Sequence, residues 1–178
     1  RVLRRRARAG HPGARHGARL GADVRPAAGV VQLAVPGRVA LLDAVAVADL
    51  SPLGPLLAEP ARTLILHAGK GDLQILAARL GPPLARVFDT QVAAAVAGFG
   101  DSISYAALVE RTRGVHLPKH ETRTDWTRRP LTPAQVVYAA EDVAHLHPLR
   151  EFLLDRLGHR GRASWLEEEL DRFAREIP

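Results

Sequence analysis

Val30-Val31-Gln32-Leu33-Ala34-Val35-Pro36-Gly37-Arg38-Val39-Ala40-Leu41-Leu42-Asp43 is the stretch on which the fold turns. Val30 to Val35 reads as a strand, Pro36-Gly37 as a turn, and Val39 to Asp43 as the hairpin partner. Beyond it the pattern changes to strands alternating with helices. Leu50 to Ala58 is a short helix opened by Ser51-Pro52, a cap followed by proline at the first helical position. Thr63 to His67 is a short buried strand. Asp72 to Leu80 carries leucines at 73, 76 and 80, a helical spacing that stops at Gly81-Pro82. Val87-Phe88-Asp89 is a further strand running into a small-residue helix, Thr90 to Ala97. Tyr105 to Arg113 is a helix stopped by Gly114, and Leu117 to Leu131 a polar loop. Thr132-Pro133 opens one long helix through about Leu157, and Arg162 to Glu176 is a last one. A hairpin followed by alternating strands and helices argues for an α/β fold with a mixed sheet.

Upstream of Val30 the composition is different. Residues 1–29 are almost all Arg, Ala, Gly, His and Pro, interrupted every few positions by Gly or Pro, with no sustained period. They hold eight Arg and one acid, Asp23, whereas residues 30–178 hold 17 basic and 18 acidic residues. The net charge of +6 therefore belongs to this leader and not to the body. A basic leader suits a phosphate backbone, a transit-like segment or a solvated tail.

The 178 residues fit one domain, and with 47% apolar residues the chain can bury a substantial core. The absence of Cys excludes disulfides, thiolate metal sites and Cys nucleophiles, and suits a reducing cytoplasm. No apolar run reaches the roughly 20 residues of a membrane helix. There is no Met, even at position 1, so the chain reads as processed, trimmed or a fragment. No protein partner is implied.

Three segments can carry chemistry. In His67-Ala68-Gly69-Lys70-Gly71-Asp72 a buried strand ends, two glycines shape a turn, and Asp72 opens a helix at the rim where α/β sheets collect sites. Asp72 is equally a plain helix cap. In Tyr138-Ala139-Ala140-Glu141-Asp142, the Tyr and the last Asp share a helix face. Apolar residues at 136, 137, 143 and 146 put that face near the core. A Tyr hydroxyl beside a carboxylate can orient a metal-activated water, or simply pack at a rim. Thr122-Arg123-Thr124-Asp125-Trp126-Thr127-Arg128-Arg129-Pro130-Leu131 sets three Arg around an aromatic. That suits a nucleic-acid backbone with a base on the indole, or a surface loop anchored by a buried Trp and salt-bridged through its Arg.

Taken in order, these segments resemble the ribonuclease D group of DEDDy-type 3′-5′ exonucleases. Val30 to Ala34, Leu42-Asp43, Phe88-Asp89-Thr90-Gln91, Tyr105-Ala106-Ala107-Leu108-Val109 and Arg129-Pro130-Leu131 match alongside them, over roughly residues 30–170. The resemblance implies a ribonuclease H-like mixed sheet flanked by helices, with 30–178 as the exonuclease domain. It implies metal-dependent hydrolysis at RNA 3′ ends, such as those of tRNA precursors. Asp72 and Asp142 would be ligands of Mg²⁺ or Mn²⁺, and Tyr138 would sit near the attacking water. His67 would be structural. Trp126, Arg128 and Arg129 would meet the nucleic acid.

The chain departs from that pattern in two ways. The family's first motif, Asp-x-Glu on the central strand, should stand shortly before Val31. Arg15 to Pro26 holds no such motif and no strand-like run, and Asp23 is followed by Val-Arg. The expectation is a missing or non-native central strand, an unstructured leader of shifted-frame or wrong-start character, and an impaired metal pair. A non-catalytic nucleic-acid-binding homologue is the alternative. The helical domains that usually follow in ribonuclease D are also absent, which weakens the expected grip on structured RNA.

Overall fold

A computed structural model describes residues 2–5, 29–47, 49–81, 86–117 and 124–177, with residues 2–5 and Arg79 as backbone alone. The strands are β1 (Val2–Arg5), β2 (Val30–Val35), β3 (Arg38–Asp43), β4 (Thr63–Leu66) and β5 (Arg86–Asp89). They form one mixed sheet in the order β3-β2-β1-β4-β5. β2 pairs antiparallel with β3 and with β1, whereas β1, β4 and β5 run parallel.

The hairpin forms as the sequence indicates, with Gly37 in the left-handed region at φ 76° completing the turn. The central strand is a correction. A missing or non-native central strand was expected; it is not missing, because Val2–Arg5 lies between β2 and β4. Both neighbours present backbone N–H and C=O groups that need partners in the interior, and any extended backbone satisfies them whatever its side chains. β1 reads Val-Leu-Arg-Arg and carries no acid. Residues 15–26, where the first motif was sought, and Arg123 of the Trp loop lie outside the described residues.

The helices are α1 (Gly54–Ala58, preceded by a 3-10 turn at Ser51–Leu53), α2 (Lys70–Leu80), α3 (Thr90–Val96), α4 (Tyr105–Arg113), α5 (Pro133–Ala144), α6 (Leu146–His159) and α7 (Ala163–Arg175). The single helix expected from Thr132 to Leu157 is two, broken at His145. Pro148 has no N–H for the Ala144 carbonyl and its ring would clash there. The chain restarts, leaving Pro148 in the first turn of α6, where no N–H is needed.

Alternation along β4 separates two cores. Leu64 and Leu66 meet Val31, Leu50, Leu57 and the α2 residues Leu73 and Leu76 on one face. Ile65 meets the other face, where Ala34, Phe88, Ala93, Leu108, Val143 and the α6 row Leu146, Leu149, Leu153 and Leu157 pack. Each fully buried Leu contributes about 1.5–3 kcal/mol of transfer free energy. A third cluster of Val30, Trp126, Tyr138 and Ala139 closes one edge. Among the described residues no helix is long and apolar enough to cross a membrane.

Candidate active site

Parallel β1, β4 and β5 end at one edge of the sheet, and the sequence places its chemistry there. β2 begins at the same edge, because Arg5 of β1 lies opposite Val31. α2 departs there from the end of β4, and α3 from the end of β5. α2 covers one face and α5 the other, so side chains of the two helices can meet only around this rim.

Asp72 is the third residue of α2 and half-buried. It is not the cap: the N-cap is Gly69, and no side chain caps the helix. Tyr138 and Asp142 are one turn apart on α5 and both buried, 8% and 5% exposed. Their face is built from Gln135, Tyr138, Ala139, Asp142 and Val143, the three- and four-residue spacing of one stripe. The apolar residues at 136 and 137 do not belong to it. Val136 and Val137 are exposed, which corrects that part of the sequence reading.

His67 links the two faces. Its Nε2 donates to the Ile103 carbonyl at 3.0 Å, and its Nδ1 lies 2.9 Å from the Thr90 hydroxyl. The Thr90 hydroxyl donates to the Leu66 carbonyl at 2.8 Å. The His67 ring meets Tyr105 edge-on at 5.6 Å, and the Tyr105 hydroxyl donates to the Glu141 carbonyl and accepts from the His145 N–H. The end of β4 is thereby tied to the middle of α5. Burial pushes the His145 imidazole pKa below its usual value, Arg113 adds to this, and Glu141 opposes it.

The Trp126 loop closes the same edge. Trp126 is 8% exposed and packs on Tyr138 with ring centroids 6.1 Å apart. Its indole packs into the cluster with Val30, Tyr138 and Ala139 and anchors the loop. Arg129 binds both carboxylate oxygens of Asp43 and donates to the carbonyls of Gly29, Trp126 and Arg128. All its nitrogens are engaged within the protein, and the ion pair holds the Asp43 carboxyl well below the usual carboxylate range. Gln135 completes a capping box with Thr132 and ties α5 to Thr124 and Asp125. Arg128 is exposed.

Two polar groups escaped the sequence reading. Asp89 is fully buried and accepts from four backbone N–H groups, Ala68, Gly69, Gln91 and Val92. Half of this was detectable, since Asp before a small-residue helix is an N-cap signal. Gln32 is fully buried beneath α5 with neither amide atom hydrogen-bonded, and nothing in the alternation of β2 announces it.

Carboxylate oxygens are suitable donors for a hard divalent cation. Among the described residues, however, no group of three or more His, Cys, Asp or Glu can hold a metal ion. Asp72 and Asp142 supply two carboxylates, fewer than such a group requires.

Comparison with known proteins shows the family. Residues 18–158 match the model of a 3′-5′ exonuclease family. The chain is similar to the ribonuclease D of Granulibacter bethesdensis, 47% identical over 142 residues, which make up 79% of this chain and 36% of that protein. It superposes on Escherichia coli RNase D, an exoribonuclease involved in structured RNA processing, with TM-score 0.84 and 32% identity. The match covers 99% of this chain and 44% of that one. Brucella melitensis NrnC with bound Mg²⁺ matches with TM-score 0.79 and 26% identity, covering 97% of this chain and 80% of its own. The chain spans little more than a third of the length of the curated relative it matches.

Proposed function

The chain belongs to the 3′-5′ exonuclease family, resembling its ribonuclease D members, and from that premise we propose that its rim receives the 3′ end of an RNA for hydrolysis of the terminal phosphodiester. The observation that supports this reading is that Tyr138 and Asp142 are buried one helical turn apart on α5, while Asp72 stands in the first turn of α2, which leaves the end of β4. Asp72 and Asp142 are the residues to hold a divalent cation, Mg²⁺ or Mn²⁺. When bound, such an ion polarises the phosphate and makes its water nucleophilic. Tyr138, fixed by Trp126, presents its hydroxyl towards the attacking water. Exposed Arg128 meets phosphate, whereas Arg129 and Trp126 serve the site by holding the loop. Immature tRNA 3′ ends are the substrate class, and a chain without Cys suits the cytoplasm.

Two carboxylates are too few for the metal pair, so the chain as it stands trims slowly. The lack of an acid on β1 favours, for this polypeptide, the second reading of a domain that binds nucleic acid without cutting it. A 5′-labelled RNA incubated with Mg²⁺ or Mn²⁺ and resolved by length tests both. We expect little shortening by the chain itself. Shortening from the 3′ end should appear once residues 1–29 are replaced by a first strand bearing Asp-x-Glu, and disappear again in Asp142→Asn. A rebuilt chain that stays inert refutes the nuclease reading. Rapid trimming by the unaltered chain, lost in Asp142→Asn, refutes the idea that its start disables it.

A further inference from the structure

We propose that Asp89 is a positioning residue for Asp72, fixing the turn from which α2 departs and so setting where the Asp72 carboxylate stands at the rim. The inference rests on the reading of Asp72 as a cation ligand.

The carboxylate of Asp89 does more than cap its own helix. Oδ1 accepts from Gln91 N at 2.8 Å and Val92 N at 3.3 Å, the ordinary N-cap bonds of α3. The same oxygen accepts from Ala68 N at 3.1 Å, and Oδ2 accepts from Gly69 N at 2.8 Å. One buried carboxyl group thus joins the N-terminal N–H groups of two helices. α2 has no capping side chain of its own, and its start is held from the end of β5 instead.

The turn so held needs holding. Ala68 sits at φ 52°, the left-handed region that a non-glycine residue rarely adopts. Gly69 is packed so closely that a Cβ there would stand 2.7 Å from the Leu66 Cβ. Behind them His67 is fastened by Thr90 and Ile103. With 67, 68 and 69 fixed, the next three residues are the first turn of a regular helix, and the third of them is Asp72. The Asp89 carboxylate thus reaches the Asp72 backbone through two hydrogen-bonded turn residues and one turn of helix. Groups that orient a metal ligand from behind commonly change metal affinity on the order of 10- to 100-fold when removed.

The test is a Mn²⁺ titration of the full chain followed by water-proton relaxation, which reports weak binding directly, with circular dichroism as the check on folding. Asp72→Asn, Asp89→Asn and Thr90→Val are compared with the wild type. Asp89→Asn puts an NH₂ group where at least one backbone N–H now donates. Thr90→Val keeps the shape but removes the hydroxyl between His67 and Leu66. Mn²⁺ affinity is expected to fall on the order of tenfold in Asp89→Asn and by less in Thr90→Val, with the fold retained. Loss of affinity in Asp72→Asn but in neither of the others overturns the inference and leaves the cation reading standing. Should Asp89→Asn not fold, an unchanged affinity in Thr90→Val overturns it alone. A wild-type chain that does not bind Mn²⁺, or an Asp72→Asn chain that binds equally well, overturns the cation reading and the inference together.

Discussion

Arg129 grips both carboxylate oxygens of Asp43, bolting the Trp126 loop to the end of β3 through a pair separated by 86 residues in sequence. The same guanidinium reaches the Gly29 and Trp126 carbonyls, so a single side chain gathers the loop, the hairpin and the entry to β2. The edge that carries the candidate site is shaped by this knot.

The Asp43 carboxyl is held below its usual value of 3.8, chiefly by its hydrogen bonds with Arg129. A depressed carboxylate contributes stability that is present above the unfolded value and is lost as pH falls through the folded one. Urea midpoints measured from pH 7 down to pH 2 should therefore fall more steeply in the wild type than in Asp43→Asn. Arg129→Met should cost about 1–3 kcal/mol at pH 7, less than a buried pair would, because Asp43 is a third exposed. Equal acid limbs in wild type and Asp43→Asn would remove the pair from the account.

Trp126 should behave as a core residue. Trp126→Ala is expected to lose about 3–5 kcal/mol by chemical denaturation, and Trp126→Phe much less. RNA affinity in Trp126→Phe should stay close to that of the wild type. A marked loss of RNA binding in that variant, with stability unchanged, would return the indole to a base-stacking role.

His145 also loses stability as pH falls, as Asp43 does, but over a higher range. Its folded pKa lies below the usual 6.5, first through burial and then through Arg113. The unfolded chain therefore binds the proton more readily, and stability is lost as pH falls through 6.5 towards the lower folded value. Between pH 7.5 and pH 5 the wild type should lose more stability than His145→Gln. Parallel curves would show that the ring is not desolvated as described.

Gln32 makes the most counterintuitive prediction. A buried amide without partners carries a desolvation cost of about 1–3 kcal/mol, and an apolar side chain of similar shape does not. Gln32→Met should leave the protein as stable or more stable in urea. A loss above about 1 kcal/mol would mean that the amide has found a partner, and that it belongs to the polar machinery of the rim.

What the sequence made legible follows from how local each signal is. The Val30 to Asp43 hairpin, the Leu73–Leu76–Leu80 spacing and the Gly114 stop are decided within a few residues, and each formed as read. The break at His145 was not read, because the apolar pattern runs on through Pro148. The central strand was illegible because its cause lies in β2 and β4, whose unpaired backbone recruits Val2–Arg5 irrespective of composition. The site divides in the same way. Tyr138 and Asp142 announce themselves by helical spacing. The service of Asp89 to Ala68 and Gly69, and that of Arg129 to Asp43, depend on contacts across 20 or more residues that no window reveals.

β1 is four residues long and stands in the middle of the sheet. A polypeptide lacking residues 2–5 would be cleft lengthwise, with the β2–β3 hairpin on one side and the β4–β5 pair on the other. Each would present a raw inner margin of amides and carbonyls suited to capturing an extended segment from a neighbouring molecule. Removal of residues 2–5 would then be read out as self-association, long before any helix on the two faces had loosened.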